Sequence, residues 1–314
     1  MRMRKPPETK RYHTLTDELS TRYGKKTFKI ALDGSFTCPN RDGAKGTGGC
    51  AFCSLRGSGD FAGDRTRQLA DQFSERLALM KRKWPDGKYI VYFQAFTNTY
   101  ADPKHLQELY ESAINLDPDI VGLNVGTRPD CLDDAVVAVL KELASKTDVT
   151  VELGLQTIHP GTQAAMNLCY ATDDFDDAVV RLRSARIPVV AHVIDGLPDE
   201  TPEMMRETIR HVAALGVAGV KIHMLHVMNG TAVGARYAAD PFPLLTLTEY
   251  VSIVCDQLEL LPPDVVIHRL TGDAPAALLI APEWTKKKFV VQNEIDKELR
   301  RRDTRQGSKA TRSL

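Results

Sequence analysis

The sequence predicts an α/β fold of repeated βα units, on three observations. Six short apolar runs rich in β-branched and aromatic residues read as strands; patterns with three- and four-residue apolar steps lie between them; and from the second run onward strands start about every 30 to 38 residues. That interval accommodates one strand, one crossover helix and two short loops. Such units close into a parallel barrel or stay open as a doubly wound sheet, and periodicity alone does not separate the two. In both, function gathers at the C-terminal ends of the strands.

In chain order, strands are expected at residues 28–32, 89–93, 120–125, 150–155, 188–194 and 219–225. Helix faces are expected from Leu69, Phe73, Leu77, Met80 and Trp84, then from Leu106, Leu109 and Ala113, and then from Leu132, Val136, Leu140 and Leu143. Phe175, Val179 and Leu182 mark a fourth, and Ile209, Val212 and Leu215 a fifth. The first interval is about twice the others, and its excess, residues 34–63, is an insertion rich in glycine directly after strand one. Beyond about residue 235, Tyr250, Val251, Val254, Leu258 and Leu261 suggest another helix, followed by a short strand near 265–269 and a helix over 283–301. The expected organisation is an N-terminal extension (1–25), a βα domain (26–235), a C-terminal helical extension packed on it (236–299) and a basic tail (300–314). The tail lacks apolar periodicity and reads as disordered.

Hydrophobic residues make up 43% and charged residues 26% of 314, ordinary for a chain that buries a full core. Formal net charge is zero, so the global balance announces no polyanionic partner, although basic residues gather at both ends. No stretch reaches the roughly 18 apolar residues of a membrane span, and the polar N-terminus has no apolar run behind it; a cytoplasmic protein without a membrane partner is expected. Six cysteines are too few for a disulfide-built fold.

Cys38, Cys50 and Cys53 form C-x11-C-x2-C in a loop that also holds Gly43, Gly46, Gly48 and Gly49. Clustered soft thiolates favour zinc or an iron-sulfur cluster. Structural zinc wants four protein ligands, and neither a second C-x2-C pair nor a close histidine supplies the fourth. Three ligands fit a 4Fe-4S cubane with one open iron; Phe52 would shield it from water and loop N–H groups would donate to its sulfides.

These residues resemble the radical SAM superfamily, in which a cysteine loop after the first barrel strand ends in Cys-x-aromatic-Cys. The wider first spacing is similar to the bacterial branch with an elongated loop, related to the Elongator catalytic subunit and to oxygen-independent coproporphyrinogen oxidase. The segments KIALDG (29–34), CPNRD (38–42), QAFTNTY (94–100), GTRPD (126–130), ELGLQ (152–156), AHVIDGLP (191–198) and VCDQLELLPP (254–263) carry the resemblance, over nearly all of residues 12–300. No acetyltransferase domain is expected to follow. The resemblance implies a partial TIM-type (β/α)6 barrel, a 4Fe-4S cluster and S-adenosyl-L-methionine (SAM), whose reductive cleavage gives a 5′-deoxyadenosyl radical, and an electron donor such as flavodoxin or ferredoxin. Carried over by position, Gln156 corresponds to the glutamine on the SAM ribose, Ile194, Gly196 and Leu197 to the stretch on adenine, and Gln94 and Asn98 to the strand-two end that receives the SAM amino group. Relatives often carry Asn-Arg after strand four, where this chain has Asn167 and Leu168, so an arginine for the SAM carboxylate is missing there.

Arg128 follows strand three at the expected mouth and suits carboxylate or phosphate, as a substrate or SAM contact; Asp130 reads as the cap of the next helix. Histidines within strands are more often hydrogen-bonded core residues than catalysts, so among His192, His223, His226 and His268 only His192, in a matched segment, is a catalytic candidate. Cys131 and Cys169 follow strand ends and are candidate radical-quenching thiols. The basic segments 286–288 and 297–312 read either as a solvated face or as RNA backbone contacts. The leading expectation is a radical SAM enzyme with tRNA as substrate, acting on the wobble uridine side chain. Alternatives are a small-molecule or protein substrate, and a zinc-stabilised RNA-binding module without enzymatic activity.

Overall fold

The computed structural model describes residues 10–310. Six strands fall within two residues of the expected bounds: β1 (Thr27–Leu32), β2 (Lys88–Phe93), β3 (Ile120–Thr127), β4 (Asp148–Gln156), β5 (Val189–Asp195) and β6 (Gly219–Met224). They pair in chain order, all parallel. Three further strands follow: β7 (Val227–Met228), β8 (Val266–Arg269) and β9 (Leu279–Ala281). β8 adds to the sheet as a seventh parallel strand, pairing Gly219 with Val266 and Lys221 with Arg269, while β7 and β9 form a small antiparallel ribbon.

The ten α-helices found among the described residues are α1 (Leu15–Tyr23), α2 (Leu69–Lys81), α3 (Pro103–Ile114), α4 (Asp134–Leu143), α5 (Pro160–Ala165), α6 (Thr172–Ser184), α7 (Pro202–Ala214), α8 (Ala232–Ala239), α9 (Leu247–Leu260) and α10 (Lys288–Arg301). Their apolar faces cover the outside of the sheet, with Leu106, Leu140, Phe175, Ile209 and Leu258 fully buried against strand residues such as Val91, Leu123 and Val151. Local chemistry sets the helix starts. Asp102 accepts from Lys104 N at 2.9 Å before Pro103, Thr201 caps α7 before Pro202, and Thr246 and Glu249 form a capping box on α9.

The sheet curls. β1 and β8 are its two edges, yet Lys29 Nζ of β1 lies 3.4 Å from His268 Nδ1 of β8. Side chains meet across an interior while the edge backbones do not pair with each other, Ile267 N of β8 donating instead to His13 O and Ala31 O of β1 accepting from Gly63 N, the signature of a partial barrel.

Several boundaries differ from expectation. The division at 235/236 falls inside α8, and the extension donates β8 to the barrel sheet, because the edge of β6 offers unpaired backbone groups that a seventh strand satisfies. The expected helix over 283–301 is split into a 3-10 turn (Glu283–Lys286) and α10. The tail expected to be disordered from residue 300 is docked as far as Ala310: Gln306 is buried, its Nε2 donates to Val265 O at 2.8 Å, and Gly307 N donates to Leu258 O. These polar contacts are invisible to apolar periodicity. Gln306 N also donates to Arg11 O, so both chain ends close the same face, at the N-terminal end of β8 and opposite the mouth of the barrel. Residues 1–9 and 311–314 of the expected terminal segments lie outside the described residues.

Candidate active site

The insertion between β1 and α2 folds over the C-terminal ends of the strands. Ala51 N donates to Met166 O and Val233 N donates to Ala51 O, both at 2.9 Å. Beneath it, Ala51, Met166, Leu168, Leu197, Leu225, Val227 and Val233 form a second apolar cluster. The loop is thereby fixed to the ends of β4, β5 and β6.

Cys38, Cys50 and Cys53 are free, partly exposed thiols lining one wall of a cavity of about 270 Å³. Hydrogen bonding with Cys50 lowers the Cys53 thiol to about 6, helped by Ser58 Oγ at 3.4 Å and by the Arg41 guanidinium. Gly49 has φ +80°, and a Cβ there would lie 2.7 Å from Arg41 Nε, so glycine lets Arg41 reach the thiols. Among the described residues no three His, Cys, Asp or Glu side chains converge as ligands of one metal ion. A cubane differs from a single ion in taking its thiolates on three separate irons, and three unpaired thiols on one wall beside cationic guanidiniums fit that group.

Gln94, Gln156 and Ile194 line the same cavity, as does Phe52. Gln94 Nε2 donates to Ser58 O at 3.0 Å. Gln156 has φ +68°, at an irregularity between β4 and β5, and its amide occupies the space a Cβ at Gly154 would need. Phe96 and Ser58 on the wall also have positive φ, at 62° and 64°. Backbone strain concentrated on one cavity is characteristic of a functional site.

Not every expected residue arrives there. Asn98 is fully buried away from the wall, its Nδ2 donating to Phe93 O (3.2 Å) and Gly126 O (2.7 Å); it ties β2 to β3. Gly196 and Leu197 are also off the wall, Leu197 being buried in the second apolar cluster. Cys131 lies behind the wall, its thiol raised to about 12 by burial, and Cys169 is exposed and donates to Asn40 Oδ1 at 3.2 Å. Neither faces the cavity, so the quenching-thiol expectation has no geometric support.

Arg128 lines the cavity, but most of its guanidinium is engaged. Nε and Nη2 form a fork on Asp130 (2.9 and 2.8 Å), Nη1 donates to Leu168 O at 2.9 Å and Nη2 to Cys169 O at 3.3 Å. Leu168, where an arginine was expected to be missing, therefore has one beside it, supplied from just after β3; Leu168 itself is buried under the cysteine loop. Asp130 is not a helix cap. Asp133 caps α4, accepting from Val136 N at 2.8 Å.

The floor of the cavity was not anticipated. Glu152 of β4 is fully buried and accepts four donors: Lys29 Nζ (2.7 Å) and Asn124 Nδ2 (2.9 Å) on Oε1, and His192 Nε2 (3.0 Å) and Lys221 Nζ on Oε2. Burial works against its charge, but the Lys221 and Lys29 ammoniums overcome this and hold it well below the usual carboxylate range. An ionised carboxylate only accepts, so His192 donates through Nε2; burial lowers its pKa to about 4, leaving Nδ1 as an acceptor on a neutral ring. Lys221 Nζ also lies 3.2 Å from Tyr92 Oη. His223, His226 and Arg269 complete the wall, so two of the three histidines read as core residues lie on the cavity, and the third, His268, stands behind it beside Lys29 Nζ.

A curled parallel sheet with three thiols poised over a polar floor, at the C-terminal strand ends, defines a barrel enzyme with a loop-bound cluster. The radical SAM superfamily model matches residues 40–212 and the radical SAM C-terminal domain model residues 217–301. This chain belongs to the radical SAM superfamily and is a radical SAM enzyme using a 4Fe-4S cluster and SAM. It is 49% identical to YtqA of Bacillus subtilis over 298 residues, 95% of this chain and 92% of that one. It is 28% identical to the tRNA uridine(34) acetyltransferase of Dehalococcoides mccartyi over 169 residues, 51% of this chain and 35% of that protein. The fold is shared with archaeal Methanocaldococcus infernus Elp3 (TM-score 0.63, 17% identity, 89% of this chain and 64% of that one). The zinc-stabilised binding module falls with this membership. No helix among the described residues is long and apolar enough to cross a membrane.

Proposed function

We propose that this enzyme acts on tRNA, remodelling the side chain of the wobble uridine from carboxymethylaminomethyl to aminomethyl. The observation that carries the reading is the 28% identity, over about half of this chain, to a protein named for its action on uridine 34 of tRNA. When bound, the cluster and SAM supply a 5′-deoxyadenosyl radical at the expense of one electron from a donor such as flavodoxin or ferredoxin.

This chain's residues do the holding and the shielding. Cys38, Cys50 and Cys53 are the cluster ligands, and Phe52 keeps water from them. With SAM bound, Gln156 would hydrogen-bond its ribose, Ile194 would pack on its adenine and Gln94 would receive its amino group, all three lining the cavity. Arg128 serves the SAM carboxylate: of its five N–H groups four are used internally, and one on Nη1 is left. His192 presents a neutral acceptor to the substrate. A cavity walled by the cysteine loop and the strand ends fixes the orientation of what it holds, which is what radical chemistry asks of a protein.

The test is the nucleoside profile of tRNA from a strain lacking the gene, read by mass spectrometry. Accumulation of the carboxymethylaminomethyl nucleoside at the expense of its aminomethyl product is the expected result; an unchanged profile overturns the reading.

A further inference from the structure

We infer that the floor of the cavity is a carboxylate-binding site for the substrate, with Arg269 and Lys221 as its recognition groups. The identity of the substrate comes from the tRNA reading; the anion site itself does not depend on it. Charge on the floor is unbalanced: Lys29, Lys221 and Arg269 face two carboxylates, Glu152 and Asp273, while burial keeps His192, His223 and His226 neutral; Lys288, which also reaches Asp273, is 43% exposed at the rim and is screened by solvent. One formal positive charge is left over between Lys221, which is buried, and Arg269, which is 29% exposed, and a counter-anion is favoured there.

Glu152 cannot provide it, because its four acceptor positions are taken. Lys221 uses two of its three N–H donors, on Glu152 and Tyr92, and keeps one. Among the described residues the polar partner of Arg269 is Asp273, reached through Nη2 alone, and Asp273 is shared with Lys288 at 3.2 Å. Most of the guanidinium fork is therefore open on the cavity wall, next to His223, whose Nε2 is buried without a partner. A planar fork with a neighbouring ammonium suits a carboxylate. The group must be terminal, because a floor built from the interior residues of the barrel admits no chain passing through; a phosphodiester is excluded on that ground. A terminal phosphate carries about −1.5 to −2 charge at neutral pH, more than the single charge left over. A carboxymethyl group ends in the required monoanion.

The experiment titrates carbon-13-labelled acetate into reconstituted holoenzyme at fixed ionic strength, following saturable line broadening, with iron content confirming that each variant is folded and loaded. Wild type is expected to bind saturably, and Arg269→Gln to bind about tenfold more weakly or less, as for loss of a bidentate charged contact. Asp273→Asn frees the fork from its internal carboxylate and is expected to tighten binding by about threefold. Arg269→Lys is expected to fall between wild type and Arg269→Gln. Acetate that binds equally to wild type and Arg269→Gln, or fails to saturate wild type, overturns the site. The nucleoside profile is scored separately: an unchanged profile with acetate binding intact removes the tRNA reading and leaves the anion site standing.

Discussion

Replacing Cys53 by alanine removes one of three thiolates from the β1–α2 loop, whose cysteines lie outside the main core although Phe36 of the same loop belongs to it. Iron content and SAM cleavage are expected to fall to background while far-ultraviolet circular dichroism stays that of the wild type; retained cleavage contradicts the ligand assignment. The three cysteines were legible because ligand spacing is a local property of the chain. The floor was not, although its signal is present: Lys29, Tyr92, Asn124, Glu152, His192, Lys221 and His268 each put a polar group next to apolar neighbours within a strand. A single polar residue in a strand is usually read as an edge or surface position, and only the curl of the sheet brings one from each of seven strands to one point. Arg128 illustrates the same limit: that its guanidinium meets Leu168 O, 40 residues away, depends on a loop approach that spacing does not encode.

At the scale of elements, long amphipathic helices and half-buried strands were readable because burial imposes a period over many residues. The two- and three-residue strands β7 and β9 and the six-residue α5 are too short to show one. α10 shows why the basic C-terminal segment is not simply a nucleic-acid tail: Val291, Ile295 and Leu299 are fully buried in the main core, where α10 packs on α9. Truncating from residue 286 removes part of the core, so loss of RNA binding on truncation does not isolate charge. Leu299→Ala is expected to lower unfolding free energy by about 2–5 kcal/mol, the cost of a buried leucine truncation. Urea unfolding measures it, and a change within about 0.5 kcal/mol, typical of a surface site, contradicts the docking of α10.

The whole molecule packs ionisable groups inside a barrel, and its stability follows from that. His192 and His226 are lowered to about 4, and His223 and His268 well below their ordinary value, mainly by burial. Between about pH 6.5 and about pH 4 the unfolded chain binds protons that the fold refuses, so stability falls as pH drops through that window. Asp195, raised to about 7 by burial, acts oppositely between about pH 4 and 7, and Glu200 in the same sense as Asp195. Four histidines outweigh two carboxyls, so the urea midpoint is expected to be lower at pH 5 than at pH 7; an equal or higher midpoint at pH 5 contradicts the buried neutral histidines. Anaerobic reconstitution with iron and sulfide, followed by reduction in the presence of SAM, tests the centre of this picture most directly. Three thiolates on three irons of a cubane, with the fourth iron open, predict about four irons per chain and release of 5′-deoxyadenosine; iron-free protein holding tight zinc, with SAM left intact, would contradict it.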